Sequence, residues 1–262
     1  MQYSLGLAIA MVSACGQPAA VTLPANVATS APALHVDRDE PLGWIGIGTL
    51  PSRDSSWIPV SDRVGALTLT DDPLPPRVTV LGATGGAELL SVGASIPLKY
   101  GCDDNALGVR PLAGARLPPG PAWILPPTAP PSWRPAALPV RVTHKDPTLR
   151  SHIAGALVFE LTRRGATHAS LVITRDGKKT FESTYERSEM DGADTTGPID
   201  LVETVPGVPE PLAAWSLSPS GPFLVVMLLP GYEGVTLQPL LVEDTSARVL
   251  EGMEVYLYSC AF

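Results

Sequence analysis

The stretch YERSEMDGAD, from Tyr185 to Asp194, sets Glu186, Glu189, Asp191 and Asp194 close together in sequence. Paired carboxylates can cleave glycosides, one as acid and the other as base or nucleophile, at a defined separation across a cleft. A second group, CDDN, places Asp103, Asp104 and Asn105 directly after an alternating apolar run. Oxygen ligands on a loop suit a hard cation such as calcium, but a calcium loop alternates its ligands. Three contiguous side chains cannot all turn to one ion. A turn in which Asp and Asn bond their own backbone accounts for CDDN, and for TDDP at 70–73, more simply. The acidic stretch likewise reads as a solvated loop. No metal site and no cofactor are expected.

Other chemistry is thinly signalled. The four histidines are His35, His144, His152 and His168. His144 and His152 lie eight apart, a spacing with no metal-ligand logic on helix or strand, and each histidine is expected on the surface or in a loop. There is no Gly-x-Ser-x-Gly elbow, Walker loop or His-Glu-x-x-His. The glycines of GWIGIG, at 43, 46 and 48, miss the dinucleotide-binding spacing. Trp44, Trp57, Trp123, Trp133 and Trp215 sit mostly beside prolines. From loops they could stack on a sugar or peptide; packing at the core or its lid is the expected role.

The three cysteines are more informative. The N-terminus MQYSLGLAIAMVSACGQ has an apolar run from Leu5 to Val12, then Val12-Ser13-Ala14-Cys15. A bilayer span needs about 20 apolar residues, so the run reads as an export signal instead. Val12 to Cys15 resemble the lipobox of bacterial lipoproteins, an aliphatic residue followed by two small ones and Cys. The resemblance implies that Cys15 is the lipidated first residue of the mature chain. The absence of Lys or Arg before the apolar run departs from the pattern. The other cysteines close two similar stretches, SVGASIPLKYGC (91–102) and VLEGMEVYLYSC (249–260). In an oxidising compartment Cys102 and Cys260 are an even pair and are expected to form a disulfide. The likeness of the stretches fits either duplicated β modules or chance.

What positions these residues should be β structure. The 262-residue chain carries 29 prolines, falling between short apolar runs. Repeated short runs with breakers every 8 to 12 residues are the signature of a sandwich or a barrel, and an all-β, sandwich-like fold is expected. Residues 1–15 read as the signal and 16–40, rich in Ala, Pro, Thr and Ser, as a flexible tether. A first β module is expected over 41–125 and a second over 140–262. The dense prolines from Pro118 to Pro139 suggest an extended connector, with the boundary at 126–139. Asp176-Gly177 predicts a two-residue hairpin turn, and Phe223 to Leu229 a fully apolar strand. Residues 148–164 fit either a helix capped at Asp146 or a strand. The strand is favoured, because Gly155 would cost a helix about 1 kcal/mol.

The formal charge of −8 leaves no electrostatic footprint for nucleic acid. The expectation is a non-enzymatic envelope lipoprotein, exported to the outer membrane or cell surface, or periplasmic or secreted without lipid. It would meet the membrane through its anchor and a protein or glycan through its β body. The alternative is a secreted hydrolase using Glu186, Glu189 and Asp191.

Overall fold

The computed structural model describes residues 42–49, 66–70, 73–84, 87–99, 106–114, 117, 120–127, 129, 135–146, 149–164, 168–186, 189–190, 193–194, 210–230 and 234–258. All lie within one compact unit, 36–262. Every regular element among them is a strand.

The first seven are β1 (Trp44–Thr49), β2 (Ala66–Thr68), β3 (Arg77–Gly82), β4 (Ala87–Val92), β5 (Ile96–Lys99), β6 (Ala106–Ala113) and β7 (Gly120–Leu125). Their antiparallel neighbours run β1-β2-β6-β4-β3-β7, and β7 pairs back onto β1. Six strands thus close into a barrel, which removes open sheet edges. A sandwich-like first module was the expectation. Alternation of apolar residues is common to barrels and sandwiches; the pairing of the three-residue β2 with both β1 and β6 makes the difference. Val78, Val80, Leu90, Leu112, Ala122 and Ile124 form one buried cluster. They occupy one pleat face, facing a barrel interior too narrow for anything but side chains.

Part of the proline-rich stretch that begins at Pro118 belongs to the first module. Gly120–Leu125 is a barrel strand, with Trp123 and Ile124 fully buried. Proline is tolerated there because Pro121 lies beyond the last β3–β7 pair, Gly82↔Ala122, and beside a register shift against β1. Its missing N–H therefore costs little of the ladder.

The later strands are β8 (Ala136–Leu138), β9 (Arg141–Asp146), β10 (Leu149–Ala154), β11 (Leu157–Arg164), β12 (His168–Arg175) and β13 (Lys178–Glu186). They continue with β14 (Glu189–Met190), β15 (Ala193–Asp194), β16 (Glu210–Ser216), β17 (Phe223–Pro230), β18 (Gly234–Val242), β19 (Ala247–Val249) and β20 (Val255–Tyr258). Strands β9 to β13 form a five-stranded meander. A six-stranded sheet runs β19-β18-β17-β16-β8, with β20 also on β18, and β14–β15 is a separate ribbon.

The strand favoured over 148–164 is a hairpin of two. Ala154 pairs with Leu157 across Gly155-Ala156, and Gly155 takes φ +60°. Glycine at the first central position is the mark of a type II′ turn. The Asp176-Gly177 turn forms as expected, with φ of 49° and 76°. A register shift follows it, where the Thr180 hydroxyl donates to the Ile173 carbonyl at 3.1 Å.

The apolar run FLVVMLLP explains the layering. Phe223, Val225 and Met227 share a buried cluster with Phe159, Leu161, Leu171 and Ile173 of the meander. The alternate residues Leu224, Val226 and Leu228 are also buried, so β17 is covered on both faces. A continuous apolar run is what two-sided burial requires. On the barrel side, Trp215 of β16 is fully buried and its Nε1–H donates to the Gly82 carbonyl of β3 at 3.0 Å. Trp123 of β7, equally buried, donates to the Leu42 carbonyl at 3.2 Å.

Candidate functional site

Most of the residues singled out by type lie outside the described residues: Cys15, Cys102, Asp103, Asp104, Asn105, Asp191 and Cys260. The β5–β6 hairpin leads toward the CDDN stretch, its last pair being Lys99↔Ala106. Two of the carboxylate candidates can be placed by register. Glu186 ends β13, opposite His168. Glu189 begins β14, opposite Asp194. Within the acidic stretch Glu189–Met190 therefore pairs with Ala193–Asp194, and Glu186 and Glu189 belong to different sheets. Among the described residues no three His, Cys, Asp or Glu are grouped to hold a metal ion.

Sequence reasoning missed two constellations. The first lies at the turn end of the meander. Leu171 and Ile173 point into the core cluster, and Arg175 occupies the next position of the same pleat face. Leu240 and Val242 of β18 enter that cluster too, and Asp244 follows in the same alternation. A charged residue thus succeeds an apolar series on each of two facing sheets. Arg175 Nη2 meets Asp244 Oδ1 at 2.7 Å, with Nε 3.9 Å from Asp176 Oδ2. Its Cζ lies 4.6 Å from the centroid of the Phe223 ring, whose negative face attracts the cation. The guanidinium is largely buried, while Asp244 is exposed. Nη1 is buried with no hydrogen-bond partner among the described residues. The group closes one end of the apolar core. The signal was available: a charge where the period-2 series calls for an apolar residue.

The second is His152, expected on the surface and instead 4% exposed on β10. It shares the pleat face of Ala154, which is fully buried in the core. The eight-residue spacing from His144 carried no information about burial, since β9 and β10 are separate strands. His152 Nε2 stands 4.0 Å from Glu210 Oε2 of β16, so the pair links the two sheets. A general base must come within hydrogen-bond reach of a substrate proton. At 4.0 Å the pair is too far apart for a direct hydrogen bond.

Tyr185, packed against the same core, has its phenol pushed above the ordinary value near 10 by burial, opposed by a hydrogen bond with Ser183. Of the tryptophans, Trp123 and Trp215 take the core role expected; Trp57 and Trp133 lie outside the described residues. Compared with models of protein families, with curated proteins and with solved structures, the chain matches none.

Proposed function

We propose that the protein is an exported envelope lipoprotein, held at a membrane by lipid on Cys15. Residues 16–40 act as its tether, and its β body has a binding or structural role rather than a catalytic one. The observation that carries the reading is Val12-Ser13-Ala14-Cys15, placed directly after the apolar run Leu5–Val12. The body supports it through the use made of its buried ionisable groups. Arg175 clamps one end of a core and His152 bridges two sheets. In this reading the meander and the six-stranded sheet form a β-sandwich beside the barrel, supported by the apolar cluster they share. A Cys102–Cys260 disulfide belongs to the same proposal.

Intact mass of the native protein from membrane and soluble fractions, with and without reduction, tests it. A membrane species beginning at Cys15, carrying acyl mass and gaining two protons on reduction, is expected. A soluble species with an unmodified Cys15 and thiols already reduced would overturn both the anchor and the bridge.

The alternative class is a secreted hydrolase, and the register pair Glu189↔Asp194 is the observation favouring it. It requires hydrolysis of a glycoside, ester or peptide substrate that Glu189→Gln abolishes while folding is kept.

A further inference from the structure

Among the described residues, most strands that end a sheet are short. β5 and β20 have four residues each, and β8 and β19 three. β13 is the exception, with nine residues, Lys178–Glu186, paired with β12 alone. A long edge strand is a template for another strand, and proteins blunt such edges with lysine, proline or a bulge. On β13 these guards stop early. Lys178 and Lys179 are exposed, and the register shift against β12 falls at Thr180. The remaining stretch, FESTYE from Phe181 to Glu186, has no lysine, no proline and no further shift.

Alternation divides that stretch cleanly. Phe181, Ser183 and Tyr185 stand opposite Ile173, Leu171 and Ala169 of the core. Phe181 and Tyr185 are half-buried there, and Ala247 and Val249 of β19 pack beside the same core from the facing sheet. Glu182 and Thr184 take the other face and are exposed. A two-fold axis perpendicular to the sheet would set this edge antiparallel to its own copy, with core face continuing core face. Two such registers pair five residues of the stretch and keep clear of Thr180. The one centred on Thr184 sets Glu182 opposite Glu186 of the second copy, twice over, and like charges directly opposite are destabilising. The one centred on Ser183 sets Glu182 opposite Thr184 and Phe181 opposite Tyr185, again twice. Aromatic pairs across a ladder are stabilising, so the sequence of the edge complements itself in that register.

We propose that β13 pairs with β13 of a second copy of this chain, antiparallel about a two-fold axis at Ser183, so that two meanders join into one continuous sheet. The same patch serves both copies, as an isologous contact requires. Five paired residues a side bury less than the roughly 1,200 Å² of a stable complex. The pairing is therefore a concentration-dependent equilibrium between monomer and dimer. It needs neither the lipid on Cys15 nor the Cys102–Cys260 bridge, and stands or falls apart from them.

The test is sedimentation of the full chain with Cys15→Ser, so that acylation plays no part, over a range of concentrations. A reversible monomer–dimer equilibrium is expected. Thr184→Lys sets a cation opposite Glu182 of the second copy, twice, and should tighten the dimer about two- to thirtyfold. Thr184→Glu sets like charges there and should weaken it by a similar factor. Thermal unfolding of both variants separates a changed dimer from a changed fold. Cross-linking reads the register. Ser183→Cys should form an intermolecular disulfide on mild oxidation, because directly paired Cα atoms stand about 4.5–5.5 Å apart. Thr184→Cys should not, since its two copies would be about 8 Å apart, beyond the reach of about 7 Å. A chain that stays monomeric, a dimer indifferent to the charge at 184, or equal cross-linking at 183 and 184 would overturn the proposal. Should Ser183→Cys fail to fold, the two charge variants at Thr184 decide it alone.

Discussion

At the residue scale, polar groups of this β body work where layers meet, and each leaves a measurable trace. The phenol of Tyr185 is raised above the ordinary value near 10, burial being the larger cause. A raised folded value means the neutral phenol is favoured by folding. Its stabilisation is complete below pH 10 and is lost as pH climbs through the folded value. Denaturation midpoints should therefore fall above about pH 10, less steeply in Tyr185→Phe. Identical slopes in the two proteins would show that the ring is not buried as described. Arg175 and Asp244 make a different case. Their 2.7 Å contact is short, but Asp244 is mostly exposed, and such pairs contribute about 0.2–1 kcal/mol. The Phe223 ring beneath the cation adds about 0.5–1 kcal/mol. Asp244→Asn should thus cost less than Arg175→Ala, which also uncovers the end of the core. A double-mutant cycle between Arg175 and Asp244 measures the ionic part by itself; equal single costs would contradict this ranking.

At the element scale, two hairpin turns of the meander show what a sequence can and cannot announce. Asp176-Gly177 was readable because both central positions take positive φ, and Asp-Gly is the pair that tolerates this. Gly155-Ala156 was not, because a lone glycine flanked by apolar residues is equally a flaw in a helix or a pause in a strand. The periodicity of 148–164 found β structure but not the reversal within it. Closure of the barrel was hidden for a related reason: it depends on β2 pairing with β6, a contact between segments distant in sequence. The candidate site was less legible still. Spacing pointed to adjacent carboxylates, whereas Arg175–Asp244 and His152–Glu210 are brought together only by stacking of sheets. The turn can be tested directly. At Gly155 a Cβ would have to accept φ +60° and come within 3.3 Å of Leu138. Gly155→Ala should cost about 1–2 kcal/mol from the left-handed backbone alone. Gly43 should be less forgiving, since its added Cβ would strike the Ile124 carbonyl and the Trp123 indole. Gly43→Ala is expected to unfold the barrel more readily than Gly155→Ala loosens the meander, as thermal melts of the two variants can show.

At the scale of the whole molecule, the sequence suggested two β modules on either side of a proline-rich stretch. The described residues of both stretches belong to one compact unit, and Trp215 of β16 is a point where they meet. Trp215 is fully buried on β16, opposite Leu224 of β17, which is buried as well. Fully burying one such side chain is worth about 1.5–3 kcal/mol, so separating the halves would forfeit several of these contributions at once. The Trp215 Nε1–H bond to the Gly82 carbonyl fixes the register of that contact. Barrel and sheets should therefore unfold together. Trp123 reports on the barrel and Trp215 on the six-stranded sheet, and both are fully buried. Variants retaining one or the other as the fluorescent reporter can follow each part during denaturation. Coincident transitions are the mark of one cooperative unit. Trp215→Phe leaves the Gly82 carbonyl without its donor at a cost of about 1–3 kcal/mol, and should lower both transitions alike. Two separate midpoints in the parent protein would mean that the halves are independent modules.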